Sequence, residues 1–236
     1  MIPKIIHYCW FGRGPMPELA LKCIESWHKY MPDYDYKLWN EDNFDTHCIP
    51  YTLEAYEAKK YAFVTDYVRL YALYTEGGIY MDTDVEVLKP YDDLLDLRAF
   101  TGYEGSKYMP PVTGTMASTA GGEWVKEQLD AYDDIHFLRD DGTLDLTTNT
   151  VRISEIMRKG GFIQDGKEHT YKDLHVFPTD FFCPRQTTGE YLITENTYCD
   201  HHFMGTWDDK EKKSISKWIG QRNLTRLIKL KRKILG

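Results

Sequence analysis

The stretch "YAFVTDYVRLYALYTEGGIYMDTDVEVLKP", residues 61–90, constrains the fold more than any other part of the chain. Apolar residues recur at helical spacing from Ala62, and the pattern predicts a helix to Glu76. Gly77 and Gly78 then supply the left-handed backbone at which helices end, and residues 79–88, "IYMDTDVEVL", read as a strand. The opening of the chain points the same way. Residues 4–10, "KIIHYCW", read as a strand, "FGRGPMP" as a Gly/Pro loop, and Pro17 opens a helix reaching about Tyr30. Leu19, Cys23, Ile24 and Trp27 share one face of that helix, and "YDYKLW" follows as a second strand. This alternation predicts an α/β fold whose central sheet is mostly parallel and flanked by helices. In such sheets ligands sit beyond the carboxyl ends of the strands, where the first loop would lie.

Further strands are predicted in "AFTGYE", "PVTGTMAS", "LHVFP" and "NTYCDHHF", and helices in "GEWVKEQLDAY" and "NTVRISEIMRKGG". With 236 residues, 42% of them hydrophobic, the chain can bury one substantial core, and no repeat or low-complexity linker divides it. Eighteen Tyr and six Trp suit pockets that grip sugars or bases, since their rings combine a flat face with a polar edge. Five cysteines lie far apart without a C-x-x-C pair, as expected of reduced, mostly core thiols. The sequence has no apolar run of about 18 residues and no signal-peptide pattern at its start, so the expected location is the cytoplasm.

Charge divides the chain into an expected catalytic domain, 1–211, and a basic C-terminal helix, 212–236. Nine Lys or Arg and no acid follow residue 211, leaving −17 on residues 1–211 out of a net −8. An acidic body with a basic tail does not fit nucleic-acid binding, which spreads positive charge over the folded face. From Ser214 onward, apolar residues interspersed with these bases predict an amphipathic helix. It would either lie on an anionic membrane surface or pack on the acidic body.

The chemistry is concentrated in three places. Along a strand, Asp82 and Asp84 share a face, and two carboxylates that close resist burial unless something positive joins them. A hard cation, Mn²⁺ or Mg²⁺, satisfies both and keeps positions open for phosphate oxygens. The other reading is a strand that frays into a solvated acidic turn. On the preceding helix, Asp66 and Arg69 fall on the apolar stripe with Phe63, Leu70 and Leu73, where polar ligand hydroxyls explain them better than an edge ion pair. Near the C-terminus, "TYCDHHFMGTW" gathers His201, His202 and Trp207 around a Gly turn, and spacing does not choose between the two histidines as a metal ligand. Trp10, ending the first strand, either stacks on a base or caps the core.

"IPKIIHYCWFG", "SWHKYMPDYDYKLWNEDNFD", "AFVTDYVRLYALYTEGGIYMDTDVEVLKP" and "ITENTYCDHHFMGTW" resemble the DXD-motif sugar transferases of glycosyltransferase family 32. That family includes bacterial capsular-polysaccharide enzymes, and the chain is more distantly similar to the clostridial glucosylating toxins. The resemblance implies a GT-A fold and a retaining hexosyltransferase that uses a nucleotide sugar, with UDP as the expected nucleotide, and Mn²⁺ or Mg²⁺. It implies that Trp10 stacks on the base, that Asp66 and Arg69 bind the donor sugar, and that Asp82 touches ribose or sugar while Asp84 binds the metal. It also implies His202 as a further metal ligand, Trp207 as a donor to the β-phosphate, and Asn149 near the sugar. The implied acceptor is a glycan, a lipid-linked oligosaccharide in capsule or surface polysaccharide synthesis, reached from the inner face of the membrane. Gly205-Thr206 stands where many relatives have Gly-Ser.

Two other readings compete. "IYMDTDVE" also fits a haloacid-dehalogenase-like phosphohydrolase, whose first Asp attacks phosphate, although that motif normally opens the domain instead of following some 80 residues. A non-catalytic, cation-dependent sugar-binding protein would need the same acids and aromatics but no nucleotide.

Overall fold

The computed structural model describes residues 1–105, 110–112, 114–185 and 190–205. The basic segment 212–236 and Trp207 lie outside them, so the expectations placed there are carried below as proposals.

The first strand, β1 (Ile5–Cys9), leads through α1 (Glu18–Tyr30) into β2 (Asp35–Trp39), which pairs with it in parallel. After α2 (Pro50–Glu57), which the sequence pattern does not announce, α3 (Tyr61–Glu76) delivers the chain into β3 (Gly78–Met81) on the other side of β1. The α3–β3 turn shows why two glycines stand there. Both have positive φ, 69° at Gly77 and 107° at Gly78, and a Cβ on Gly78 would lie 2.6 Å from the Ile5 carbonyl oxygen. Buried His7 fixes this turn: its Nε2 lies 2.7 Å from the Gly77 oxygen, while the Trp39 indole N–H donates to its Nδ1 at 3.1 Å. That pattern puts the His7 proton on Nε2 and leaves the ring neutral, and burial lowers its pKa in the same direction.

Beyond β3 come β4 (Val85–Val87), β5 (Ala99–Gly102), β6 (Thr115–Ser118), α4 (Glu123–Asp130), α5 (Asn149–Lys159), β7 (His169–Tyr171), β8 (Leu174–Phe177), α6 (Thr179–Phe182) and β9 (Cys199–His201). Seven strands form one sheet in the order β2-β1-β3-β6-β5-β8-β7. Five of them run one way, and only β6 and β7 run against the rest. The sheet is thus mostly parallel in direction, with antiparallel β6 inserted between β3 and β5. Both faces are covered. Ile79 and Met81 join the apolar cluster that holds Trp27 of α1, whereas Tyr80 joins the cluster of α3, α4 and α5. This two-sided burial is why β3 reads as a continuous apolar run.

One expectation is corrected here. The predicted strand 79–88 breaks at Asp82, where the Asp82 N–H donates to the Gly114 oxygen at 2.7 Å and the Val85 N–H to the Asp82 oxygen at 3.0 Å. Residues 82–84 therefore form a turn, and β4 leaves the main sheet to pair antiparallel with β9. Asp82 and Asp84 come together through the turn and not through the pleat of one strand.

Candidate active site

The turn lies at the carboxyl end of β3, and Trp10 at the carboxyl end of the neighbouring parallel strand β1. This is the sheet edge at which α/β folds bind ligands. Helix α3 contributes Asp66 and Arg69, 8% and 9% exposed, both inward as their place on the apolar stripe predicts. The Arg69 Nη2 lies 3.2 Å from Asp66 Oδ1 and 3.3 Å from Asp82 Oδ1, and the guanidinium sits over the Tyr80 ring at 4.5 Å. The Tyr80 hydroxyl donates to the same Asp82 oxygen at 2.8 Å. Burial works against the charge on Arg69, but Asp82 and Asp66 beside it outweigh burial and hold it protonated. Asp66 is pushed up to about 6 by burial, with Arg69 opposing the shift.

On the other side of the turn, β9 brings His201 opposite Val85. His201 Nε2 lies 3.4 Å from Asp84 Oδ1, and one ligand atom from each of Asp82, Asp84 and His201 falls within 4.8 Å of the others. Burial pulls the His201 pKa down, but Asp84, Asp82 and Glu104 outweigh it and raise it. Neighbouring His202 points elsewhere: its Nε2 meets Glu86 Oε2 at 2.9 Å, and only its backbone N–H reaches Asp84, at the carbonyl oxygen. Adjacent strand residues face opposite ways, so register brings His201, and not His202, to the acids.

Two carboxylates and an imidazole form a donor set that could hold a divalent cation. The backbone makes room for such an ion. A Cβ on Gly114 would stand 3.0 Å from Asp82 Oδ2 and 3.1 Å from His201 Cε1, so a side chain there would crowd the ligand atoms.

The other expected residues are placed as follows. Asn149, buried at the start of α5, donates its Nδ2 toward the Asp66 carbonyl oxygen at 3.5 Å, and its Oδ1 has no hydrogen-bond partner among the described residues. Trp10 is half-buried, with its indole N–H donated to the Gly14 oxygen at 2.7 Å, which fixes the ring plane. Sequence reasoning missed Tyr80, although two residues before Asp82 in a strand pattern is the place from which a hydroxyl reaches that acid. It also missed Gly114; an isolated glycine beside a strand signals a close approach.

Residues 17–101 match the family model described as "Glycosyltransferase sugar-binding region containing DXD motif". The match includes α3, the glycine turn and the Asp82–Asp84 turn. Among curated proteins, inositol phosphoceramide mannosyltransferase 3 of Schizosaccharomyces pombe is 36% identical over 103 residues, 42% of this chain and 29% of that one. Subversion of eukaryotic traffic protein A of Legionella pneumophila is 24% identical over 172 residues, 59% of this chain and 26% of that one. The matched stretches thus span between a quarter and a third of these relatives' length. Among solved structures, the PaToxG glycosyltransferase superposes with a TM-score of 0.50 at 18% identity, covering 67% of this chain and 69% of that one. The fold is the GT-A type of α/β fold.

Proposed function

We propose that the protein is a metal-dependent, retaining glycosyltransferase that moves a hexose from a nucleotide sugar, UDP-linked, to a glycan acceptor carried on a lipid. One observation carries this reading: Asp82 and Asp84 converge with His201 at the carboxyl edge of the sheet, beside the buried Asp66–Arg69 pair. The family match over residues 17–101 supports the class of reaction. The S. pombe relative, named for mannosyl transfer to inositol phosphoceramide, supports an acceptor borne on a lipid.

In this reading Asp82, Asp84 and His201 hold Mn²⁺ or Mg²⁺, which when bound would supply Lewis-acid stabilisation of the departing diphosphate. The remaining work falls to the chain. Asp66, ionised above about pH 6, accepts from hydroxyls of the donor sugar, and Arg69 donates to them. Trp10 offers its ring face to the base, Asn149 offers an unpartnered oxygen on the sugar side, and the Trp207 indole N–H donates to the β-phosphate. No acid pair at glycosidase separation is assigned, and retention follows from attack on the face the diphosphate leaves, with the leaving phosphate taking the acceptor's proton. Asp82 is a poor phosphohydrolase nucleophile, because its Oδ1 is already held by Tyr80 and Arg69. Among the described residues, no helix is long and apolar enough to cross a membrane. Residues 214–236 are proposed to hold the enzyme peripherally on an anionic inner membrane face, where a lipid-linked oligosaccharide of a capsule or surface polysaccharide would be met.

The test is a panel of UDP- and GDP-sugars incubated with the full chain, with and without Mn²⁺, read as nucleotide release. Metal-dependent release from one donor, abolished in Asp84→Ala, is the expected result. A cation-dependent sugar binder would bind sugar and release no nucleotide from any donor.

A further inference from the structure

A histidine that ligates a metal usually has its second ring nitrogen fixed by a carboxylate or carbonyl, which sets the tilt of the ring. His201 lacks that restraint: its buried Nδ1 has no hydrogen-bond partner among the described residues. What holds the ring is packing on two sides. Gly114 lies on one side, near enough that a Cβ there would stand 3.1 Å from Cε1, and on the other the Phe203 ring stacks on the imidazole with centroids 4.2 Å apart and planes 29° apart.

Phe203 reaches that position at a cost. Its φ is 49°, in the left-handed region that a residue with a bulky side chain rarely adopts. It is also 36% exposed, so burial of its ring in the core does not account for the conformation. Strain of this kind persists where surrounding contacts over-determine it, and such sites cluster at ligand clamps. The contact that gains here is the one with His201. In a straight continuation of β9, residues 201 and 203 would share a face one repeat apart; the positive φ turns the Phe203 side chain from that direction, and its ring stacks on the imidazole.

We propose that Phe203 is a positioning residue: its kinked backbone clamps the His201 imidazole against Gly114 so that Nε2 faces the Asp82–Asp84 turn. The inference rests on the reading of this cluster as a metal centre. It assigns Phe203 no contact with donor or acceptor.

The experiment is a Mn²⁺ titration of the full chain, with and without UDP, followed by the electron paramagnetic resonance of the free ion and paired with thermal unfolding. The variants are Phe203→Ala, Phe203→Gly and Phe203→Tyr, with Asp84→Ala as the control. Phe203→Ala and Phe203→Gly are expected to weaken Mn²⁺ binding alike, by about tenfold, the lower end of what loss of a supporting contact costs a metal site. Phe203→Tyr keeps a stacking ring and should bind within about twofold of the parent. Glycine adopts positive φ freely, so Phe203→Gly should unfold about 2–4 °C above Phe203→Ala, although both lack the ring. The glycine variant, relieved of strain yet poor at holding the ion, is what a purely structural role does not produce. Parental affinity in both small variants, loss in the tyrosine variant, or equal midpoints for alanine and glycine would each overturn the proposal. If the parent shows no Mn²⁺ binding that Asp84→Ala removes, the metal reading itself falls, and the clamp falls with it.

Discussion

The two walls of the Asp82–Asp84 turn are built differently. On the α3 side, Arg69 sits between Asp66 and Asp82, the Tyr80 hydroxyl donates to Asp82 Oδ1, and the Asp82 backbone N–H is held by the Gly114 carbonyl. On the β9 side, His201 meets one carboxylate at 3.4 Å and is otherwise steadied by a stacked ring and a glycine. The first wall is an ionic network anchored by the buried Asp66 and Arg69, whose arrangement is fixed by charge. The second rests on a two-stranded ribbon and on packing, with a single carboxylate contact to the histidine.

If that contrast is right, substitutions on the two sides should fail in different ways. The largest effect is expected at Arg69. Arg69→Met leaves buried Asp66 and part-buried Asp82 without the cation between them and should cost about 3 kcal/mol of stability by urea unfolding. Adding Asp66→Asn should return part of it, and additive losses in the double variant would show that the network is not one unit. Next comes Asp84→Ala, which should lower turnover by about 10²–10³-fold, or about 3–4 kcal/mol, while the unfolding midpoint stays near the parent's. The histidines sharpen the comparison further. His201→Ala should weaken Mn²⁺ about tenfold or more and His202→Ala less than about twofold; the reverse order would move the centre to His202. The last effect is electrostatic and shows only as a pH dependence. Asp66 titrates near 6 when folded, against an ordinary value near 3.8. An acid raised in this way adds nothing below both values, then destabilises increasingly as pH rises between them and fully above the higher one. Asp66→Asn should therefore gain stability over the parent as pH rises from about 4 to 6, levelling at about 3 kcal/mol. A constant difference across that range would refute the buried carboxylate's shift.

Sequence pattern exposed the first wall well and the second poorly. Asp66 and Arg69 stand on an apolar helical stripe, and helix geometry alone turns them inward; the pair Gly77-Gly78 likewise announces its turn. Asp82 and Asp84 were legible as neighbours, yet the apolar run around them looks like one strand. The break depends on the Gly114 carbonyl of another segment capturing the Asp82 N–H. The choice between His201 and His202 depends on which of them the β4–β9 register sets opposite Val85. Such register is a property of two distant segments, and spacing along either one does not carry it. Phe203 gives no sign at all, since its importance lies in a backbone angle that phenylalanine seldom takes.

Asp82 turns one oxygen toward Arg69 and Tyr80 and belongs at the same time to the cluster with Asp84 and His201. A single carboxylate thus serves two masters, and on the proposed function a change that retunes sugar preference through the guanidinium would also disturb the seat of the ion. In lineages built on this plan, donor choice and cation choice should drift together, and new donors should be won more readily from Asn149 or Trp10, which leave that shared carboxylate alone.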